Sequence, residues 1–270
     1  MGFNATNVKR ATETKKICAT GKLQIGSKVI DISEKLKLAV SIEYRKEQLD
    51  NIDISICRKT NTPCKYKMSS YGADVMPFYS RVGQLCILNF ASSKNPGGGF
   101  ESGAMAQEEA LCYASNLCDC LKKHMNFYEY NREHLNKSQY SDGIIYTKDV
   151  LFFRNKFNNV NPQFADVITC AAPNWGASRR LGVTLKENNE TMSRRIEQVI
   201  KVAIANEAKV LVLGAFGCGV FKNDPNYVAK EMFRLLKTEG YDEYFEEIIF
   251  AMNDNNGENV EAFRKTFNLK

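Results

Sequence analysis

Apolar residues along the chain follow two rhythms. Continuous apolar runs over 84–91, 165–172, 209–214 and 246–252 predict strands buried on both faces. Between them, apolar positions recur at helical spacing. Met192, Ile196, Val199, Ile200, Ala203 and Ile204 fall on one side of a helix predicted over 191–207. Further helices are predicted over 104–123, 226–238 and 258–266. Strand, loop and helix repeating in this order predict a layered α/β fold with a largely parallel sheet.

The first third of the chain reads differently. Val8, Ala11, Thr14, Ile17 and Cys18 fall near one face of a helix predicted over 5–20. A short strand is predicted over 28–32, and a second helical stretch begins at Ser33. Ile52, Ile54 and Ile56 alternate with polar residues and predict a strand over 52–57. Residues 59–83 show no assignable pattern. The pattern divides the chain into a small N-terminal α/β accessory region, 1–82, and a main body, 83–270.

Composition narrows the class. Of 270 residues, 44% are hydrophobic and 25% charged, which excludes a chain that is disordered throughout. No run approaches the ~20 apolar residues of a membrane span, and residues 1–10 contain no apolar core of a secretory signal. The nine cysteines include no C-x-x-C pair, and several sit inside apolar runs. They read as buried, reduced thiols, which points to the cytoplasm. His124 and His134 are the only histidines, and no zinc-type cysteine spacing surrounds them, so neither a metal centre nor a Ser-His-Asp triad is expected. The net charge of +6 is unevenly placed. Residues 1–81 carry 15 Lys+Arg against 8 Asp+Glu, and the rest carry 22 against 23.

Two strand-to-helix loops are rich in glycine. The first contains Asn95, Pro96, Gly97, Gly98 and Gly99. The second runs through Gly214, Gly217, Cys218, Gly219, Val220 and Phe221. Glycine allows positive φ and close backbone approach, so successive N–H groups can face an anion, and a following helix N-terminus adds partial positive charge. Two such loops suit a diphosphate held from both sides. Neither is a P-loop or a G-x-G-x-x-G fingerprint, so ATPase and dehydrogenase chemistry lack their motifs. After a seven-residue spacer from the first glycine cluster come Gln107, Glu108 and Glu109, in the opening turns of a helix. Acidic residues there commonly complement the helix dipole. Two carboxylates beside an anion cradle also suit acid/base cleavage of a glycosidic bond. Consecutive helical residues point about 100° apart, so one carboxylate is expected to move the proton and the other to hold a sugar hydroxyl. Cys218 has no paired histidine and reads as a residue that shapes its turn rather than as a nucleophile.

The Gly97-Gly98-Gly99 to Gln107-Glu108-Glu109 signature resembles that of poly(ADP-ribose) glycohydrolases. The segments around Leu88 to Ser92, Ala171 to Asn174 and Gly214 to Pro225, and the helix around Arg10 to Thr14, are similar to the shorter, microbial-type branch. The resemblance implies a macrodomain-like three-layer α/β/α fold with a mixed, largely parallel sheet. It implies hydrolysis of ribose–ribose O-glycosidic bonds in poly(ADP-ribose) or on ADP-ribosylated protein, releasing ADP-ribose from chain ends. No metal or other cofactor is implied. By position, Glu109 matches the catalytic glutamate and Glu108 the neighbour that orients ribose hydroxyls. Gly97, Gly98, Gly99, Gly217, Cys218, Gly219 and Val220 match diphosphate-binding loops, and Phe221 matches an aromatic that fixes the ribose. Asn89, where vertebrate enzymes carry Asp, is expected with Asn95 and Gln107 to contact substrate. A monomer without membrane contact is expected. The rival readings are a macrodomain that binds ADP-ribose without cleaving it, and a hydrolase of mono-ADP-ribosyl groups. Trp175 and the Phe127, Tyr128, Tyr130 cluster could stack an adenine, although packing is the more common use of such residues.

Overall fold

The computed structural model describes residues 4–79, 84–156, 158–252 and 257–269. Its strands are β1 (Lys22–Ile25), β2 (Lys28–Asp31), β3 (Val40–Tyr44), β4 (Lys65–Ser69), β5 (Leu85–Phe90), β6 (Ile144–Asn155), β7 (Asn158–Cys170), β8 (Val210–Leu213) and β9 (Glu247–Ala251). β1 and β2 form a small hairpin. The other seven form one sheet in the order β3-β6-β7-β5-β8-β9-β4. Neighbours from β7 through to β4 run parallel, while β6 is antiparallel to both β7 and β3. The sheet is mixed and largely parallel, as expected.

The central strands alternate their apolar side chains between two cores. Cys86, Leu88, Ile168, Cys170, Leu211 and Phe250 face the helices Leu185–Ala205, Pro225–Phe233 and Glu258–Phe267. Leu85, Ile87, Val167, Val212 and Ile249 face the other way, toward the helices Ala5–Thr20, Gln107–Ala114 and Leu117–Leu121. Helices on both faces bury both sides of the sheet, and this gives the three-layer α/β/α arrangement. No helix among the described residues is long and apolar enough to cross a membrane.

Residues 4–79 are integrated with this body. β3 and β4 form its two edges, and the Ala5–Thr20 helix buries Ala11 in the core. That helix is bounded as its sequence suggests. Asn4 caps it by accepting the Asn7 N–H at 3.2 Å, and Gly21 ends it at φ +64°.

Two expected elements are corrected. Residues 52–57 are not a strand. Asp53 Oδ1 accepts the Ser55 N–H at 2.8 Å and Cys57 N–H closes on Ile54 O at 3.0 Å, so local turns take the hydrogen bonds that a ladder needs. Ile52, Ile54 and Cys57 still pack on the core, while Ile56 is exposed. The helix predicted over 104–123 breaks at Ser115. The Ser115 backbone is extended, and its hydroxyl donates to Leu111 O at 2.7 Å. Asn116 Oδ1 accepts the Leu151 N–H at 2.9 Å, tying the break to β6.

Candidate active site

A cavity of about 500 Å³ opens where the carboxyl ends of β5, β8 and β9 meet the loops that follow them. Parallel sheets bind ligands at this end. Phe90, Gly98, Glu108 and Glu109 form one wall, and Gly217 to Phe221, without Cys218, form the other.

The Gln107–Ala114 helix is fastened to β5 by its first side chain. β5 pairs with β8 only over Leu85 to Ile87. Beyond that point Gln107 substitutes for the missing strand. Its Oε1 accepts the Phe90 N–H at 2.8 Å and its Nε2 donates to Leu88 O at 2.7 Å. The far end is held too. Arg154, 2% exposed, donates from Nη1 to Tyr113 O and to Thr14 Oγ, both at 2.6 Å, which joins the helix to Ala5–Thr20.

Glu108 and Glu109 are both buried and both tied to backbone. Glu108 Oε2 accepts the Ser92 N–H at 2.7 Å, and Asn89 Nδ2 approaches its Oε1 at 3.4 Å. Burial pushes the Glu108 carboxyl up to about 8. The Ser92 and Asn89 donors oppose that shift, and the neighbouring Glu109 carboxylate adds to it. Glu109 Oε1 accepts the Gly99 N–H at 2.8 Å, and its Oε2 reaches back to the Ala106 N–H at 2.9 Å. Although the two side chains leave the helix in different directions, the glycine loop folds back between them. A Cβ on Gly98 would lie 2.9 Å from Glu108 Oε2 and closer still to Glu109. The carboxylates therefore reach one point from two sides.

In this arrangement the first glycine loop is bonded from within. The Gly98 N–H bonds to Asn95 O at 3.0 Å and the Gly99 N–H to Glu109, so the loop holds a carboxylate of its own chain. The second loop is open. Its internal bonds use the N–H groups of Phe216, Cys218, Lys222 and Asn223. Among the described residues, those of Gly219, Val220 and Phe221 have no acceptor. Each following helix start is already capped, one by Glu109 and the other by Asp224, which accepts the Asn226 N–H at 2.9 Å. The amides left open at the cavity are thus those of the second loop.

A family model described as the catalytic domain of microbial-type PARG, poly(ADP-ribose) glycohydrolase, matches residues 11–155. The chain belongs to the microbial-type poly(ADP-ribose) glycohydrolase family. The solved poly(ADP-ribose) glycohydrolase from Thermomonospora curvata is 31% identical, with a TM-score of 0.90, over 98% of this chain and 100% of that one. A structure of the same enzyme bound to the inhibitor ADP-HPD is 29% identical, with a TM-score of 0.86, over 97% and 99%. The enzyme from Deinococcus radiodurans in complex with ADP-ribose is 34% identical, with a TM-score of 0.77, over 84% and 94%. No curated protein sequence matches.

Within this glycohydrolase family fold, the predicted site residues separate into two groups. Asn95, Gly98, Gln107, Glu108 and Glu109 share the cavity with Gly217, Gly219, Val220 and Phe221. Asn89, Gly97, Gly99 and Cys218 stand behind its wall. Asn89 is fully buried and meets Glu108 and Thr169. Gly97 (φ +75°) is packed against sulfur, since a Cβ there would lie 3.0 Å from Cys118 Sγ and 3.2 Å from Cys112 Sγ. The Cys218 thiol is pushed up to about 12 by burial, which suits packing and not nucleophilic attack. Phe127 and Tyr128 are core residues, while Tyr130 stacks on His134 at 4.1 Å; none of the three lines the cavity, nor does Trp175. Sequence patterns missed Tyr140, Ser92, Asp74 and Met252, which do. Among the described residues no group of three or more His, Cys, Asp or Glu could hold a metal ion, and all nine cysteines are free.

Proposed function

We propose that the protein hydrolyses ribose–ribose O-glycosidic bonds of poly(ADP-ribose), free or attached to protein, and releases ADP-ribose. The observation that carries this reading is the convergence of Glu108 and Glu109 on Gly98, across the cavity from the open amides of Gly219 to Phe221. The amides take the diphosphate, and Phe221 packs on the adjoining ribose. Glu109 gives its proton to the leaving ribose oxygen as the C1–O bond breaks. An oxocarbenium-like sugar forms, water adds to it, and the water's proton returns to Glu109. Glu108, whose pKa of about 8 keeps it largely protonated at neutral pH, donates to a ribose hydroxyl and fixes the sugar's pose. Every proton in this cycle passes through a carboxyl group of the chain. A cavity of about 500 Å³ suits one ADP-ribosyl unit, which favours cleavage at chain ends. The nine free thiols suit the cytoplasm.

The test uses labelled poly(ADP-ribose), with free ADP-ribose followed over time. Wild type is expected to release ADP-ribose, and Glu109→Gln to bind ADP-ribose without releasing it. Full turnover by Glu109→Gln would refute the assigned role. Binding by the wild type without any cleavage would make the protein a reader of ADP-ribose.

A further inference from the structure

Tyr140 lines the same cavity from a segment without regular structure. Its φ is +62°, and Asn136, Lys137 and Ser138 before it also lie in the left-handed region, at +43°, +50° and +66°. Side chains with a Cβ are strained there. Such a cluster persists only where its surroundings over-determine it, and functional sites are where such clusters collect.

Backbone bonds from Gln139 N–H to Asn136 O and from Tyr140 N–H to Leu135 O close the turn, and one buried side chain anchors it to the body. Arg195, 1% exposed on the Leu185–Ala205 helix, donates from Nη2 to the carbonyls of Gln139 and Tyr140, the latter at 3.3 Å. Its Nη1 donates to Ala171 O at 2.8 Å, and its Nε to Asp142 Oδ1 at 3.0 Å. Arg194 Nε holds the same carboxylate through Oδ2 at 2.7 Å. The guanidinium thus ties the C-terminal end of the strained turn to the residue that follows β7.

What this grip presents is an aromatic ring at the cavity wall. The Tyr140 ring lies 6.3 Å from that of Phe221, inclined at 45°. Its hydroxyl has no hydrogen-bond partner among the described residues. The left-handed turn places this residue at the open cavity, where a hydroxyl can meet a ligand, and packing alone would not require such a turn. The open amides of Gly219 to Phe221 belong to the same wall.

We infer that Tyr140 contacts substrate, its hydroxyl donating to the diphosphate–ribose part of the bound ADP-ribosyl unit, and that Arg195 is the positioning residue that holds it there. The inference rests on the function proposed above and adds to it a specificity contact.

Calorimetry with ADP-ribose and with AMP, on wild type, Tyr140→Phe, Arg195→Lys and the double variant, tests both parts. Tyr140→Phe is expected to weaken ADP-ribose binding roughly five- to tenfold, about the worth of one hydrogen bond, and to leave AMP within twofold. Arg195→Lys is expected to weaken ADP-ribose in the wild-type background and to have little further effect once Tyr140 is Phe. If Arg195→Lys does not fold, Asp142→Asn takes its place in the cycle. Unchanged ADP-ribose affinity in Tyr140→Phe, or equal losses for AMP and ADP-ribose, would overturn the contact. An Arg195→Lys effect of the same size in both backgrounds would overturn the positioning role. A wild type that binds no ADP-ribose would sink the functional reading and this inference together. A wild type that binds it as well as Tyr140→Phe does would sink this inference alone.

Discussion

Gly98 and Glu109 compete for one volume: a Cβ on Gly98 would stand 2.4 Å from Glu109 Oε1. The glycine's φ of +59° adds strain for any other residue. Gly98→Ala must therefore displace the carboxylate or the loop. The expected result is a loss of polymer cleavage of 100-fold or more, on the order of removing one acid/base group. The melting temperature should fall by only a few degrees, since the loop lies at the cavity wall. Near-normal turnover in Gly98→Ala would show that Glu109 does not act from the observed position.

The pKa of Glu108 links stability to pH. Its folded value of about 8 lies above the ordinary 4.5, so the folded state keeps a proton that the unfolded state releases. The native state is then favoured fully below pH 4.5, and this contribution is lost as pH rises toward 8. Glu108→Gln removes the titration. It should be more stable than wild type at pH 9, by on the order of a few kcal/mol, with the difference vanishing near pH 4. Asn89 Oδ1, buried without a donor, can serve the new amide once the Asn89 side chain turns over. Urea unfolding at the two pH values measures the effect, and a difference independent of pH would contradict it.

Two glycines of the second loop should respond oppositely to alanine. Gly217 has φ +72°, and a Cβ there would lie 2.5 Å from the Ala172 Cβ, so Gly217→Ala should lower stability by about 2 kcal/mol or more. A Cβ on Gly219 meets nothing within 4 Å. Gly219→Ala should melt like the wild type yet bind ADP-ribose more weakly, because the added methyl occupies the ligand's approach to the free amides. Thermal melts and calorimetry on the pair separate the two effects.

Gln107 should matter through position and not through contact with substrate. Gln107→Leu removes the partners of Phe90 N–H and Leu88 O. Two unsatisfied backbone groups cost about 1–3 kcal/mol each where water cannot replace the partner. Turnover should fall with stability, because the helix start carries Glu108 and Glu109. Loss of turnover with unchanged melting would point instead to direct substrate contact.

The central strands were legible because burial on both faces leaves unbroken apolar runs, as in Leu85 to Leu88 and Val210 to Leu213. β6 was not. Its ladder with β7 shifts register between Thr147 and Val150, and Asp149 there takes φ +54°, so no single period runs through it. The glycine cluster and the glutamates stood out by spacing. Their convergence did not, since it depends on the loop turning back at Gly97 and Gly98. Tyr140 left no trace in pattern, because its place is set by Arg195, 55 residues away in the chain.

Both margins of the seven-stranded sheet are drawn from the first third of the chain, β3 covering β6 and β4 covering β9. A version shortened to 83–270 would keep Glu108, Glu109 and the glycines of both loops, yet it would expose two rows of unpaired backbone donors and acceptors. Bare edges of that kind recruit other strands. Such a fragment is expected to self-associate into β-rich assemblies on expression, whatever the state of its catalytic groups.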